Sequence, residues 1–166
     1  MRFIAFSGLC LLLCVACGSS TPLQGGNGFT HDQKWSVCVA KRGGSFKSRA
    51  ECQERTLFMD SQCRGPDTKD PAPEHGFPAL QCRARSCPAT HTCTQAMIAL
   101  CCSKENEKQI KQAESDKCPD GSKALGERNG KEFLATFAHS CTDLVCGKKH
   151  KCVQVNKYFA KCCEKK

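Results

Sequence analysis

Residues 141–163 read CTDLVCGKKHKCVQVNKYFAKCC, and their cysteine spacing repeats that of residues 82–102, CRARSCPATHTCTQAMIALCC. In both stretches four residues separate the first two cysteines, five separate the next two, and an adjacent pair of cysteines closes the stretch. One further cysteine lies upstream of each, Cys63 in the first case and Cys118 in the second. The gaps are 18, 4, 5, 7 and 0 residues in the first unit and 22, 4, 5, 9 and 0 in the second. This agreement predicts two tandem modules, each a self-contained unit with three disulfides.

The composition also points to disulfides as the main source of stability. The chain has 166 residues, 17 cysteines and a formal charge of +9, and its hydrophobic fraction of 40% counts cysteine. A chain this poor in other apolar side chains cannot offset its conformational entropy by burial alone. Disulfides stabilise the folded state by about 2–4 kcal/mol each, and so can provide the stability that a small hydrophobic core does not. A large α/β enzyme, a coiled coil and a multispan membrane protein are not expected from such a composition.

Residues 1–18 predict a secretory signal peptide. Arg2 precedes an apolar run from Ile4 to Val15, which is too short to span a bilayer, and small residues follow it. A buried N-terminal helix is one alternative, and a bacterial lipoprotein signal with lipid attached at Cys17 is another. The sequence contains no second apolar run of this kind. We therefore expect a secreted, extracellular protein with no membrane anchor.

Cysteine parity supports export to an oxidising compartment. Three cysteines lie in the signal peptide, which leaves fourteen, an even number that predicts seven disulfides. Zinc binding is the alternative, but no Cys-x2-Cys pair occurs beyond the signal peptide, so we expect neither a metal nor a cofactor. Adjacent cysteines should take different partners, because a bond between neighbours would distort the peptide, and the connectivity otherwise stays open. The predicted disulfide cysteines are Cys38, Cys52, Cys63, Cys82, Cys87, Cys93, Cys101, Cys102, Cys118, Cys141, Cys146, Cys152, Cys162 and Cys163.

Each unit is expected to contain a short β-hairpin that leads to its adjacent cysteines. In the second unit, residues 151–155 alternate, Asn156-Lys157 forms the turn, and residues 158–162 return as the second strand. The matching segment of the first unit, 93–102, is two residues shorter and should form a tighter hairpin. The predicted fold class is small and disulfide-rich, with tandem loop-rich modules that each contain a short β-hairpin, plus a short helix near residues 48–57.

Residues 103–117, SKENEKQIKQAESDK, separate the two units and predict a charged linker. Ile110 and Ala113 are the only apolar residues in this segment, so it lacks an apolar stripe with which a helix could pack. A helix supported by pairs such as Glu107 with Lys111 is the alternative.

The six-cysteine units resemble the lustrin-type cysteine-rich repeats of invertebrate secreted proteins. The shared features are the start Cys118-Pro119-Asp120-Gly121, the C-x4-C-x5-C core and the terminal pair of cysteines. The first unit departs from this pattern, because Arg64-Gly65-Pro66 follows its first cysteine. The units also look loosely like whey-acidic-protein modules, which have two further cysteines that are absent here. Lustrin-type repeats often occur beside Kunitz inhibitor domains.

Residues 38–52, CVAKRGGSFKSRAEC, resemble the C-terminal half of a Kunitz-type trypsin inhibitor. The resemblance implies that Phe46 is a buried aromatic residue and that a short helix from Ser48 to Leu57 carries the next cysteine. Ser48 would be the N-cap, and Glu51 lies three residues further on, which is the capping-box pattern.

Cys38 and Cys52 are the two cysteines that remain when both six-cysteine units are filled, so we expect them to pair with each other. An unrelated disulfide loop is the alternative. In the Kunitz family the protease-binding loop lies in the N-terminal half, beside a cysteine that bridges to the position matched by Cys38, and residues 19–37 contain none. A Cys38–Cys52 bond would therefore rule out a standard Kunitz framework. This part of the chain is therefore interpreted as a partial, degenerate Kunitz-like segment.

These features together predict five segments. They are a signal peptide at 1–18, the partial Kunitz-like segment at 19–58, a first cysteine-rich repeat at 59–102, the charged linker at 103–117 and a second cysteine-rich repeat at 118–166.

The resemblances imply a secreted serine protease inhibitor of the Kunitz/lustrin kind, whose partner would be an extracellular serine protease. Such an inhibitor needs a rigid, exposed and extended segment, and disulfides supply the rigidity. Basic residues near the predicted bridges, Arg83, Arg85 and Lys123, are the candidate contacts, although ordinary surface loops explain them equally. The histidines are scattered, and neither a Gly-x-Ser-x-Gly nor a His-Glu-x-x-His motif is present, so we do not expect an enzyme.

A non-inhibitory extracellular structural or glycan-binding module is the second hypothesis. Lys148, Lys149 and Lys151 are close in sequence and are candidate contacts to an acidic glycan or an acidic extracellular protein. Alternate residues of a strand share a face, so Lys149 and Lys151 should point the same way. A solvated surface that keeps the protein soluble is the alternative. Nucleic acid is not an expected partner, since the single tryptophan, Trp35, is expected to cap a loop without aromatic neighbours.

Overall fold

A computed structural model of the chain describes five stretches of the sequence. Within them, nine short strands and two α-helices are joined by seven disulfides. This confirms the small, disulfide-rich fold with short antiparallel hairpins. The predicted signal peptide lies outside the described residues, as do Leu57 and Arg85. The described residues are 26–56, 63–66, 80–84, 86–95 and 98–166.

Residues 26–56, called the N-terminal unit below, consist of a hairpin followed by a helix. Strand β1 (Asn27–Asp32) pairs antiparallel with β2 (Val37–Arg42). Helix α1 spans Arg49–Thr56 and packs against both strands.

The disulfide between Cys38 and Cys52 joins β2 to α1 and confirms the predicted pairing. The Ser48 hydroxyl accepts a hydrogen bond from the backbone N–H of Glu51 at 3.0 Å, so α1 starts where the capping pattern predicts. The Glu51 carboxylate, however, accepts from the backbone N–H of Lys47 at 2.9 Å rather than from Ser48. The predicted end of the helix lies outside the described residues.

Phe46 is partly buried and lies against the cluster that contains this disulfide. It forms a bridge with Phe29 of β1, in which the backbone nitrogen of each residue donates to the other's carbonyl, at 2.8 and 3.0 Å. Gly44 passes so close to Phe29 that a Cβ atom would lie 2.5 Å from its backbone nitrogen. A glycine is therefore required at this point of the loop.

The first repeat contains the tighter of the two predicted hairpins. Strand β3 (His91–Gln95) pairs antiparallel with β4 (Ala99–Ser103), and a short 3-10 turn at Cys82–Ala84 precedes them. Its disulfides join Cys63 with Cys102, Cys82 with Cys93, and Cys87 with Cys101.

The second repeat contains an additional hairpin and a three-stranded sheet. The hairpin consists of β5 (Gly126–Asn129) and β6 (Glu132–Ala135). The sheet has the order β7-β9-β8 and is antiparallel, with strands β7 (Phe137–Ala138), β8 (His150–Gln154) and β9 (Ala160–Glu164). Its disulfides join Cys118 with Cys163, Cys141 with Cys152, and Cys146 with Cys162.

Both repeats have the same connectivity, in which the first cysteine pairs with the sixth, the second with the fourth and the third with the fifth. Adjacent cysteines take different partners, as predicted. The hairpin of the first repeat is also two residues shorter, as predicted. The return strand of the second repeat begins at Ala160 rather than Tyr158. The Asn156 side-chain oxygen accepts from the backbone nitrogens of Tyr158 and Phe159, both at 3.0 Å, and so holds them in the turn.

The segment between the repeats is a packed helix, α2 (Lys104–Glu114), so the linker prediction is wrong. Ser103 caps it by accepting a hydrogen bond from the backbone N–H of Asn106. Ile110 and Ala113 lie about one turn apart on the same face, and both are fully buried. This narrow apolar face suffices because its partners include the large side chains of Trp35, Phe137 and Phe159.

Trp35 belongs to this core and does not lack aromatic neighbours. Its ring centroid lies 4.7 Å from that of Tyr158 and 4.9 Å from that of Phe159. The sequence prediction for Trp35 is wrong because both partners come from the second repeat, far along the chain. The N-terminal unit, α2 and the second repeat therefore share one core.

A buried arginine fixes the two helices to this core. Arg49 donates from Nη2 to the Glu114 carboxylate at 2.8 Å and from Nη1 to the Ala135 carbonyl at 3.2 Å. Its guanidinium carbon lies 4.5 Å from the centre of the Phe137 ring, which is a cation–π contact. Arg49 therefore connects α1 with α2 and with the second repeat.

The described cysteines are all disulfide-bonded. Such dense cross-linking is typical of proteins that fold in an oxidising, extracellular compartment. Neither α1 nor α2, the α-helices in the described part of the chain, is long and apolar enough to cross a membrane.

Candidate functional site: two lysine-lined surfaces

A basic cavity of about 230 Å³ lies between the N-terminal unit and the second repeat. Its basic residues are Lys47, Lys148, Lys149 and His150, which we call the turn cluster. Its apolar lining comes from Phe29, Leu125 and Val145. No aspartate or glutamate is among the described residues that line it.

The walls of this cavity are held together by Asn27. The Asn27 side chain donates to the carbonyl of Val145 and accepts from its backbone nitrogen, both at 2.9 Å. The turn that carries Lys148 and Lys149 is fixed by Lys165, whose side chain donates to the Lys148 carbonyl and whose backbone nitrogen donates to the Lys149 carbonyl. Hydrogen bonds from Asn27 and Lys165 therefore fix the backbone that surrounds the cavity.

The three lysines predicted to contact a polyanion lie in two different places. Lys148 and Lys149 line the cavity, whereas Lys151 lies on β8 with its Nζ 3.8 Å from the Asp120 carboxylate. Hydrogen bonds from Ser122 lower the pKa of Asp120, so this carboxylate stays ionised. The predicted shared strand face of Lys149 and Lys151 is wrong, because Lys149 lies in the turn before β8.

A second, larger basic surface runs along α2. This groove of about 720 Å³ is lined by four exposed lysines, Lys104, Lys108, Lys111 and Lys117, and we call it the α2 groove. The first three have the spacing that places side chains on one helical face. Thr92 of the first repeat and Pro119 and Val155 of the second complete the walls.

Glu107 is the single carboxylate among the described residues lining the α2 groove, and it is already paired. The Arg64 guanidinium donates to both of its carboxylate oxygens, at 2.7 and 3.3 Å. None of the four lysines forms an ion pair within the described part of the chain. The groove therefore carries an unbalanced positive charge.

Lys161 adds a buried ammonium at the end of α2. It is fully buried, and its Nζ donates to the carbonyls of Gln112, Ser115 and Lys117 at 2.9, 2.9 and 2.6 Å. Burial lowers its pKa to about 8, and the nearby Asp116 opposes this shift. Sequence reasoning missed this residue, since a lysine in a short strand gives no local signal of burial.

The two candidate protease contacts among the described residues, Arg83 and Lys123, lie in segments whose backbones are held by hydrogen bonds. Arg83 is exposed in the 3-10 turn, where the Ala84 nitrogen donates to the Gln81 carbonyl at 3.0 Å. Lys123 has an exposed side chain, but its carbonyl accepts from the Glu164 nitrogen at 2.9 Å and its backbone forms a bridge with Lys117. Arg85 lies outside the described residues.

Another pair that sequence reasoning missed joins the N-terminal unit to the second repeat. His139 Nε2 lies 2.6 Å from the Asp32 carboxylate, and its Nδ1 lies 3.1 Å from the carbonyl of Tyr158. The ring is stacked on Phe159, with centroids 5.3 Å apart. The neighbouring Ser140 hydroxyl contacts Thr142 and Asp143. The His139–Asp32 pair joins the N-terminal unit to the second repeat.

Among the described residues, no three His, Cys, Asp or Glu side chains converge on a possible metal position. Comparison with known protein families, characterised proteins and solved structures finds no match to this chain in any of the three. The lustrin-type and Kunitz-type resemblances therefore stay predictions.

Proposed function

We propose that this protein is a secreted, non-enzymatic binding module that holds acidic, sulfated glycans at the turn cluster. The observation that carries the proposal is the set of basic side chains around a cavity whose described lining includes no carboxylate. A sulfate or carboxylate group entering this cavity meets positive charge without breaking an existing ion pair. Attraction between the basic surface and a polyanion is long-ranged and is screened by salt.

The rigidity of the cavity supports binding rather than non-specific attraction. The Asn27–Val145 hydrogen bonds and the Cys146–Cys162 disulfide hold its walls in place. A site that is already ordered loses little conformational entropy on binding. Phe29 and Leu125 give the cavity an apolar wall, and charge interactions beside an apolar wall are stronger than in bulk water.

Heparin affinity chromatography and calorimetry test this proposal. The variant K148Q/K149Q removes two charges from the turn cluster. The variant R128Q/K131Q removes two exposed charges from the β5–β6 hairpin, neither of which lines either surface. We expect K148Q/K149Q to elute at clearly lower salt than R128Q/K131Q. Elution of the two variants at the same salt concentration would show that only net charge matters and would reject the turn cluster.

Serine protease inhibition is the second candidate function, and its support is the Kunitz-type sequence resemblance of residues 38–52 together with the capped start of α1 at Ser48. The Cys38–Cys52 bond counts against it, because in a standard Kunitz framework the position matched by Cys38 is bonded to the N-terminal half. Residual trypsin, chymotrypsin and elastase activity in the presence of the oxidised protein tests this function. Inhibition that is lost in R83A/R85A or K123A would support the predicted contacts, and full protease activity at micromolar protein would reject the function.

Secretion and cleavage near residue 18 are part of the proposal. Expression of the full chain in eukaryotic cells, followed by N-terminal sequencing of the protein in the medium, checks both. Retention of the uncleaved chain inside the cells would contradict them.

A further inference from the structure

We propose that the α2 groove is a second polyanion site, separate from the turn cluster, and that it holds an extended segment of a sulfated polysaccharide. The inference takes its ligand class from the proposed function but rests on different residues. The two surfaces have no lining residue in common.

The lysines and the acidic residues of the α2 segment are equal in number, but the fold gives them different surroundings. Residues 103–117 contain four lysines and four acidic residues. The fold engages three of the acids, since Glu105 accepts from Gln109, Glu107 pairs with Arg64, and Glu114 pairs with Arg49. The fourth acid, Asp116, lies near enough to Lys161 to raise its pKa. The lysines of α2, by contrast, form no ion pair among the described residues and are exposed along one groove, where Lys104 Nζ donates to the neutral Ala89 carbonyl at 2.9 Å.

The end of α2 would normally oppose an anion, because a helix C-terminus carries a partial negative charge. Here Lys161 donates to three carbonyls at this end, those of Gln112, Ser115 and Lys117. Its buried ammonium offsets the negative end of the helix beneath the groove. The positive potential of the lysine side chains can therefore extend past Lys111 to Lys117.

The length of the groove favours a chain with several anionic groups. Lys104 and Lys111 are seven residues apart, which is about 10 Å along a helix. Lys117 extends the row beyond the helix end, and Pro119 continues the wall. A single small anion would contact one or two of these lysines, whereas an extended polyanion can contact all of them.

The groove's chemistry favours a polysaccharide over an acidic polypeptide. Protein interfaces are enriched in aromatic residues and arginine and depleted in lysine. The described lining of the α2 groove has neither an aromatic residue nor an arginine, and its main apolar members are Pro119 and Val155. Lysine binds as a mobile point charge, which suits sulfate groups that are irregularly spaced.

The test compares K108Q/K111Q with the matched control R128Q/K131Q and with K148Q/K149Q. Binding of a heparin-derived oligosaccharide, its desulfated form and poly-L-glutamate is measured by calorimetry at about 0.15 M ionic strength. We expect K108Q/K111Q to bind the sulfated oligosaccharide about tenfold more weakly than the control, because this variant removes two of the four lysine charges that line the groove. Desulfation should remove most of the binding in every protein.

The outcomes separate this inference from the proposed function. Equal affinities for K108Q/K111Q and R128Q/K131Q would overturn the groove site and leave the turn cluster standing. A loss in K108Q/K111Q but not in K148Q/K149Q would support the groove and reject the turn cluster. Poly-L-glutamate binding as tightly as the sulfated oligosaccharide, with the same loss in K108Q/K111Q, would overturn the polysaccharide assignment. Circular dichroism of each variant verifies that α2 is intact.

Discussion

The two cysteine-rich repeats have the same disulfide connectivity but differ in how they are stabilised. In the second repeat the disulfides enclose large buried side chains, those of Leu134, Phe137, Leu144 and Phe159. In the described part of the first repeat the buried hydrophobic residues are Ala99 and three cysteines. The same covalent frame therefore supports one repeat that shares a packed core and one that relies mainly on its bridges. Cysteine spacing specifies topology, but it does not specify a core.

The first repeat is joined to the rest through a short junction. Gly65 donates its backbone N–H to the Lys34 carbonyl at 2.9 Å, and the Asn106 side chain donates to the Arg64 carbonyl at 2.8 Å. Gly65 has φ of +100°, and a Cβ atom there would lie 2.5 Å from the Asn106 side chain and 2.9 Å from Trp35. Glycine at this position lets the two regions approach closely.

Truncating Phe159, in the core that the N-terminal unit, α2 and the second repeat share, should destabilise the protein most. F159A should lower the free energy of unfolding by about 3–5 kcal/mol, because it leaves a cavity beside Trp35 and Phe137. Trp35 is the only tryptophan, so its fluorescence in a guanidinium titration reports this core. The control L80A changes a side chain that is 72% exposed and should shift the midpoint little. Similar shifts for the two variants would contradict the difference between the repeats.

Deleting one equivalent disulfide from each repeat tests whether the two repeats unfold separately. Cys82–Cys93 and Cys141–Cys152 each span 11 residues, so each should constrain the unfolded chain by about 3 kcal/mol. We expect C141S/C152S to lower the unfolding midpoint seen by Trp35. We expect C82S/C93S to open the first repeat locally, as measured by hydrogen exchange, with little change at Trp35. Equal shifts at Trp35 would show that the two repeats unfold as one unit.

The contact between α1 and α2 tests how firmly the N-terminal unit belongs to the second repeat. R49M keeps much of the buried stem but leaves Glu114 and the Ala135 carbonyl without their donor. We expect a loss of about 2 kcal/mol in the free energy of unfolding, since the partly exposed Glu114 can be hydrated. K47M is the control for an exposed cation near α1. A midpoint for R49M that equals that of K47M would contradict this role.

The residue before the adjacent cysteines gives the smallest expected effect at neutral pH, and its effect appears in a pH profile. This position is Leu100 in the first repeat and the buried Lys161 in the second. The pKa of Lys161 is lowered to about 8 from 10.5, so the unfolded state holds more protons between these values. The free energy of unfolding should therefore rise with pH in this window, relative to K161M, by at most about 1.4 kcal/mol per pH unit. Parallel profiles for the wild type and K161M from pH 7 to 10 would contradict the shift.

Several local features were predictable because short-range geometry determines them. Adjacent cysteines cannot share an unstrained bond, so Cys162 and Cys163 have different partners in the structure, as predicted. The N-cap at Ser48 depends on residues within one turn of α1. The candidate site was only partly predictable. Lys148 and Lys149 were identified by their charge density, whereas the α2 groove was missed because its segment is neutral in sequence.

The disulfide-rich class, the two hairpins and the start of α1 follow from the amino-acid sequence alone, because strand alternation, turn chemistry and helix capping act over a few residues. The Cys38–Cys52 bridge follows from the count of cysteines outside the two repeats. Three features become visible in the folded protein alone: residues 104–114 pack as a helix, Trp35 has aromatic neighbours and Lys161 is buried. Each of these depends on side chains supplied from distant parts of the chain. Burial and pairing of charge depend on which groups the fold brings together, and a local pattern carries no information about such partners.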